Sequence, residues 1–152
     1  MRALLVVLVA GCVVQGTPRS GDPGWSFPGD TGRDPCQSDG DCAGGDVCAR
    51  DGGCWAPAEV RAVHVTWMLS GMPASTTTCA SAVDLQIGFY APGSNASELG
   101  YAPVPCVQGK FSVDKLPVAY TRVRLGRATS DHGWESAAFD GVTGEATLDL
   151  PF

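Results

Sequence analysis

The sequence predicts a mostly β protein in two parts, a small disulfide-stapled, cysteine-rich module followed by an antiparallel β-sandwich. Three observations predict it. Apolar and polar residues alternate through 61–69 (RAVHVTWML) and again through 82–90 (AVDLQIGFY), the period of strands with one buried face. Four cysteines recur as Cys36-x5-Cys42-x5-Cys48-x5-Cys54 in a segment too polar to build a core, and Cys79 and Cys106 form a further pair. No long segment shows a helical period. The 152 residues suffice for one ordinary domain plus something small. Hydrophobic residues reach 44%, enough for a core, and the net charge of −6 argues against nucleic acid as a partner, because phosphate binding needs concentrated Lys and Arg.

At the N-terminus, Arg2 precedes the apolar run 3–9 (ALLVVLV), and Ala10-Gly11-Cys12 closes it. A basic start, a short apolar stretch and small residues before a cut read as a secretory signal. The whole apolar run is far below the roughly 20 residues needed to span a bilayer. Val9-Ala10-Gly11-Cys12 resembles the lipobox of bacterial lipoproteins, in which the Cys becomes the mature N-terminus and carries the lipid. That resemblance implies a signal peptide over 1–11, lipidation of Cys12 and a membrane partner reached through the lipid. Val13, rather than Asp, after the Cys implies the outer membrane or cell surface. The alternative is an ordinary signal cut nearby, which leaves Cys12 discarded or free. Both place the chain in an oxidising compartment where disulfides persist.

Residues 12–35 read as a flexible linker. Five Gly and four Pro fall within 16–35, with neither a helical nor a strand period. Such a stretch spans about 25 Å root-mean-square and holds the rest of the chain off a membrane surface. Trp25 and Phe27 within it read as incidental aromatics rather than a docking motif.

In the module, 36–57, only Ala43, Val47 and Ala49 are apolar among the residues between the cysteines, so covalent staples must replace a core. Zinc is the competing use of four thiolates, but zinc pairs usually have C-x2–4-C spacing and the signal points outside the cytoplasm. Four cysteines allow three pairings. The interlaced Cys36–Cys48 and Cys42–Cys54 is the expectation, each bridge closing about 13 residues for roughly 3 kcal/mol. Asp39-Gly40-Asp41 begins like a calcium-binding EF-hand loop, which makes Asp39, Asp41 and Asp46 a weak calcium set. Ala43 then stands where a third oxygen ligand belongs, and the expected Glu is missing. Turn chemistry is the preferred reading of these aspartates. Pro35-Cys36-Gln37-Ser38-Asp39-Gly40-Asp41-Cys42, with Gly45-Asp46-Val47-Cys48 and Cys54, resembles the opening of the Dickkopf N-terminal cysteine-rich region and similar stretches in myxobacterial lipoproteins. The resemblance covers about twenty residues. It implies a small extracellular staple, and the Wnt inhibition of Dickkopf does not carry over because its modules hold more cysteines.

Residues 58–152 read as the sandwich, with strands at 61–69, 82–90, 110–113, 119–125, 137–140 and 145–150, separated by Gly, Pro, Asn and Ser clusters such as 91–100. Val63, Val65, Trp67 and Leu69 share one face of the first, opposite His64, Thr66 and Met68. A Cys79–Cys106 bridge closes a 28-residue loop worth about 3.5 kcal/mol. Trp67-Met68-Leu69-Ser70-Gly71, Cys79, Cys106-x4-Phe111-x4-Leu116-Pro117 and Tyr120-Thr121-x-Val123 resemble a β-sandwich domain of myxobacterial lipoproteins. They are also similar to the transthyretin-like group related to carboxypeptidase regulatory domains, which often reads G-x-F-x-x-L-P-x-G-x-Y-x-V here. The resemblance implies an Ig-like or transthyretin-like sandwich with a binding or structural role. Ala119 replaces the usual Gly, and the extra residue after Tyr120 suggests a bulge or shifted register.

Candidate chemistry is sparse. His64 falls on the polar side of a strand and His132 in the turn Ser130-Asp131-His132-Gly133; both read as solvated side chains. The chain has no G-x-S-x-G elbow, H-E-x-x-H helix or phosphate-cradling Gly loop, so no catalytic residue and no cofactor are assigned and the protein reads as a non-enzyme. Arg122 and Arg124 share a strand face with Arg127 just beyond, either a solvated outer face or a contact for an anionic ligand such as a surface polysaccharide or lipid phosphate. Asn95-Ala96-Ser97 fits a glycosylation sequon, read as chance, and Phe152 is expected to finish a core strand. The expectation is therefore a lipid-anchored envelope protein that binds or scaffolds a protein or glycan. The alternatives are a freely secreted disulfide-rich ligand or inhibitor, and an envelope hydrolase with an unrecognised site.

Overall fold

A computed structural model describes residues 35–82, 84–93, 98–127 and 133–151. The module opens with a 3-10 turn at Asp39–Asp41 and a two-residue ribbon in which β1 (Val47–Cys48) pairs antiparallel with β2 (Cys54–Trp55). A further 3-10 turn, Pro57–Glu59, leads into β3 (Val60–Leu69), the longest strand. Its alternation is realised as expected: Val63, Val65, Trp67 and Leu69 are buried while Ala62, His64, Thr66 and Met68 face solvent.

Beyond the module lie two sheets. In one, β3 lies between β7 (Lys110–Pro117) and β10 (Glu145–Leu150), with the short β4 (Met72–Pro73) folded back on its end. The other runs in the order β6 (Glu98–Pro105), β5 (Asp84–Tyr90), β8 (Arg122–Arg127), β9 (Glu135–Ala138). Their inward side chains form one core, in which Val65, Leu69, Leu148 and Leu150 share a cluster with Leu85, Ile87, Phe89, Val123 and Leu125. Each such side chain, fully buried, contributes roughly 1.5–3 kcal/mol. Phe89 sits at its centre, stacked on Phe139 at 6.0 Å and edge-on to Tyr101 at 6.1 Å.

The sandwich is mostly β and antiparallel, as expected, except for one pair. β10 runs parallel to β3, with Glu145 opposite His64 and Leu150 opposite Leu69. The chain reaches this position because the turn after β9 crosses between the sheets. There the Asp140 carboxylate accepts the Val142 and Thr143 N–H groups, and Gly144 adopts φ +71° against the carbonyl of Ala62. β6 is not among the expected strands. Its Ala102–Pro103 peptide and Pro105 lie on an edge strand, where a missing N–H leaves no ladder bond unmade. The irregularity expected after Tyr120 lies upstream instead: β8 pairs with β5 in unbroken register, while β7 carries a bulge. Arg61 faces Leu116 but Val63 faces Val113, so β7 has one residue more than β3 across this span. The extra residue falls at Asp114-Lys115, with Lys115 at φ +50°.

That bulge is where the module docks. The Lys115 carbonyl accepts the Arg50 N–H at 3.2 Å, the Arg50 guanidinium pairs with Asp114, and the Lys115 ammonium reaches Asp39 at 2.7 Å. Module and sandwich therefore meet at the end of the sandwich where β3 begins. Pro35 packs against Gly52 at the same end, so the N-terminal chain enters there.

Candidate functional site

The cysteines are the first group to place. Cys36 bonds Cys48, Cys42 bonds Cys54, and Cys79 bonds Cys106, with Cα separations of 5.7, 5.6 and 5.7 Å. The sulfurs of Cys36, Cys42 and Cys54 lie within 4.8 Å of one another, the sort of cluster a zinc ion could use. All three are consumed in S–S bonds, which leaves no thiolate to ligate a metal. The Cys79–Cys106 bridge is buried and fixes the opposite end of the sandwich, where the Trp67 indole N–H donates to the Cys106 carbonyl at 3.0 Å.

The aspartates of the weak calcium set are engaged locally. Asp39 accepts the Cys48 N–H and the Lys115 ammonium, and the lysine holds its carboxyl below the usual carboxylate range. Asp41 accepts the N–H groups of Gln37 and Ser38, which lower its pKa in turn. Asp39, Asp41 and Asp46 do not converge into one ligand cluster among the described residues. Asp51 is buried and satisfied, accepting from Gly53 N–H and from the Trp55 indole.

His64 is exposed, as expected from its strand face. The structure adds a row the sequence did not reveal: Ser112, His64 and Glu145 occupy neighbouring positions across β7, β3 and β10, with Ser112 Oγ 3.0 Å from His64 Nδ1. A nucleophile needs donors for its oxyanion and a site that excludes water. This row lies on an open sheet face, and its middle strand is paired on both sides, so its N–H groups serve the ladders.

The other outer face is more structured. Arg122 and Arg124 are both exposed on β8, and Tyr90 with Gln86 flank them on β5. The Arg124 guanidinium lies 4.5 Å from the centroid of Trp134. Trp134 rests on Gly126, whose added Cβ would come within 2.5 Å of the indole. Arg122 donates to Ser136 Oγ at 3.3 Å, and Ser136 is the cross-strand partner of Arg124. Arg127, just beyond, has the opposite strand parity, so the shared face holds Arg122 and Arg124, as their alternation predicts. The sequence signal was Arg-x-Arg alternating with Val123 and Leu125; the part of Trp134 had none, because it is a contact made across a loop.

A shallow hollow of about 380 Å³ lies at the end far from the module, lined in part by Thr76, Cys79, Asp84, Pro105 and Val107. Cys12, Trp25, Phe27, Asn95, His132 and Phe152 lie outside the described residues. Among the described residues no helix is long and apolar enough to cross a membrane. Comparisons with protein-family models, with curated proteins and with solved structures find no match.

Proposed function

We propose that this is a lipid-anchored protein of the cell envelope that acts by binding or scaffolding rather than by catalysis. The observation that carries the reading is cysteine pairing. Of seven cysteines, the six at 36, 42, 48, 54, 79 and 106 are joined in three disulfides, which leaves Cys12 of the Val-Ala-Gly-Cys sequence as the one available for a lipid. Several acyl chains on one residue, at about 0.8 kcal/mol per buried CH₂, anchor a chain stably without a spanning helix.

The placement of the module supports the same reading. The chain enters at the module end, so a tether through the linker would leave the β3–β4 turn and the Cys79–Cys106 bridge facing away from the membrane. Two bridges at the near end and one at the far end suit a presented domain in an oxidising compartment.

Intact mass spectrometry of protein purified from its own host's membranes tests this. The expected chain begins at Cys12, is heavier by a diacylglycerol-type modification and gains six hydrogens on full reduction. A chain that begins elsewhere and carries no lipid, or a Cys12→Ser variant that stays membrane-bound, rejects the anchor and leaves the secreted-ligand reading.

A further inference from the structure

The chain is acidic overall, yet one sheet face presents two arginines side by side with no described carboxylate paired to them. The two ion pairs between described residues, Arg50–Asp114 and Lys115–Asp39, both belong to the module junction. Arg122 leans along β8 toward Ser136, the residue opposite Arg124, while the Arg124 guanidinium lies over Trp134. Like charges at alternate positions of one strand face repel, and an anion held between them relieves the repulsion.

We propose that this face of the four-stranded sheet is a docking surface for an acidic polysaccharide, with Arg122 and Arg124 receiving its carboxylates. The inference deepens the binding reading above by naming the partner's chemistry. It is tested in solution, so it stands or falls separately from the lipid anchor.

Three features favour a carboxylated glycan. First, Arg124 is pre-ordered. Stacking on Trp134, itself seated on Gly126, holds the planar guanidinium in place, so less side-chain entropy is lost when its N–H fork meets a carboxylate. Second, the row that leads to Arg124 is bare. Gly100 faces Gly88 across β6 and β5, and Gly88 faces Arg124 across β5 and β8, so this lane has no side chain until the arginine. Tyr90 and Gln86 border the lane on β5, about 13 Å apart along the strand at about 3.3 Å per residue. They offer an aromatic body and amide hydrogen bonds, the mixture a sugar chain uses. Third, the exposed large apolar residues Met68, Met72, Val107, Val118 and Val142 all belong to other segments, so this face brings no wedge for a lipid bilayer.

The test uses the full-length oxidised chain, titrated calorimetrically with alginate, a linear polyuronate, and with neutral dextran as control. Binding to alginate and not to dextran is expected, weakening with salt. The Arg122→Gln/Arg124→Gln double variant should lose at least about tenfold in affinity, the scale of one or two charge-assisted hydrogen bonds. Lys110→Gln, an exposed cation on the other sheet, should bind as the parent does. If the double variant melts early, Arg122→Gln alone, in which only a hydrogen bond to the exposed Ser136 is given up, provides the decisive comparison and should still weaken binding several-fold. The proposal is overturned by absent alginate binding, by arginine variants that bind as tightly as the parent, by an equal loss in Lys110→Gln, or by anionic phospholipid vesicles that bind this face where alginate does not.

Discussion

The Lys115 ammonium lies 2.7 Å from one carboxylate oxygen of Asp39 and 2.8 Å from the other, across a sequence separation of 76 residues. One partner sits on the β7 bulge and the other in the first turn of the cysteine module. Asp39 also accepts the Cys48 N–H, so the same carboxylate that organises the module internally fastens it to the sandwich. A bulge that places an extra residue at Asp114-Lys115 turns a strand edge into a docking point.

The pH dependence of this junction has a definite sign. Asp39 is held below its ordinary 3.8, first by the hydrogen bond from Lys115 and then by the Cys48 N–H. The folded state therefore binds this proton less readily than the unfolded chain. The stabilisation is complete above the ordinary value and is lost as pH falls through the lowered one. Lys115→Ala removes the larger cause. The variant should melt below the parent near neutral pH, and the gap should close as pH falls through the lowered value and the aspartate becomes protonated in both. Thermal melts across that range check it; a gap that persists unchanged in acid assigns the effect to something other than the ion pair.

Alkali probes a different group. Burial pushes the Tyr120 phenol up to about 12, with the nearby charge of Asp51 and Tyr101 adding to the effect. Here the folded state holds the proton more tightly than the unfolded chain, so the stabilisation is present below the ordinary value of 10.0 and fades as pH rises toward about 12. Ultraviolet titration of the phenolates should show one tyrosine ionising late and together with unfolding. In Tyr120→Phe that late step should vanish, and a surviving step would assign it to Tyr101, whose pKa burial also raises.

The Cys79–Cys106 bridge closes the longest loop, a separation of 27 residues. On the chain-entropy model its removal costs about 3.5 kcal/mol. The Cys79→Ala/Cys106→Ala variant should unfold at lower denaturant with an unchanged cysteine module, because Cys36–Cys48 and Cys42–Cys54 lie at the opposite end of the sandwich. Mass mapping of the remaining bridges together with a urea titration measures both. Scrambled pairing in the module would show that the two ends fold together rather than separately.

Much of this architecture was legible because β3 and β5 are half-buried strands whose side chains alternate without interruption. The second half of β7 was not, since the bulge shifts parity between Val113 and Leu116 and breaks the period that reveals a strand. Nor was β6, where two prolines in a run argue against a central strand and are harmless on an edge. The parallel pairing of β10 leaves no local mark, because alternation reports which face is buried and not which neighbour is bonded. On the candidate binding face, Arg122 and Arg124 were visible as a shared strand face, but the indole that orders Arg124 was not.

That indole supplies the most local test of the face. Gly126 is paired in regular register with Gln86, and a methyl group at its Cβ position would come within 2.5 Å of Trp134 Cδ2. The obstacle in Gly126→Ala is therefore the ring and not the backbone. The smallest relief is for the ring to lift from the strand, which separates it from the Arg124 guanidinium at 4.5 Å. Stability should fall by about 1–3 kcal/mol, the range for overpacking at one site. Indole emission should shift to the red as the ring meets water, while the core around Phe89, on the inner side of the sheet, stays packed. The chain has four tryptophans, so the shift is read against Trp134→Phe, in which the contribution of this ring is already absent. Emission unchanged by Gly126→Ala would mean that Trp134 does not rest on β8, and the ordering of Arg124 would then need another support.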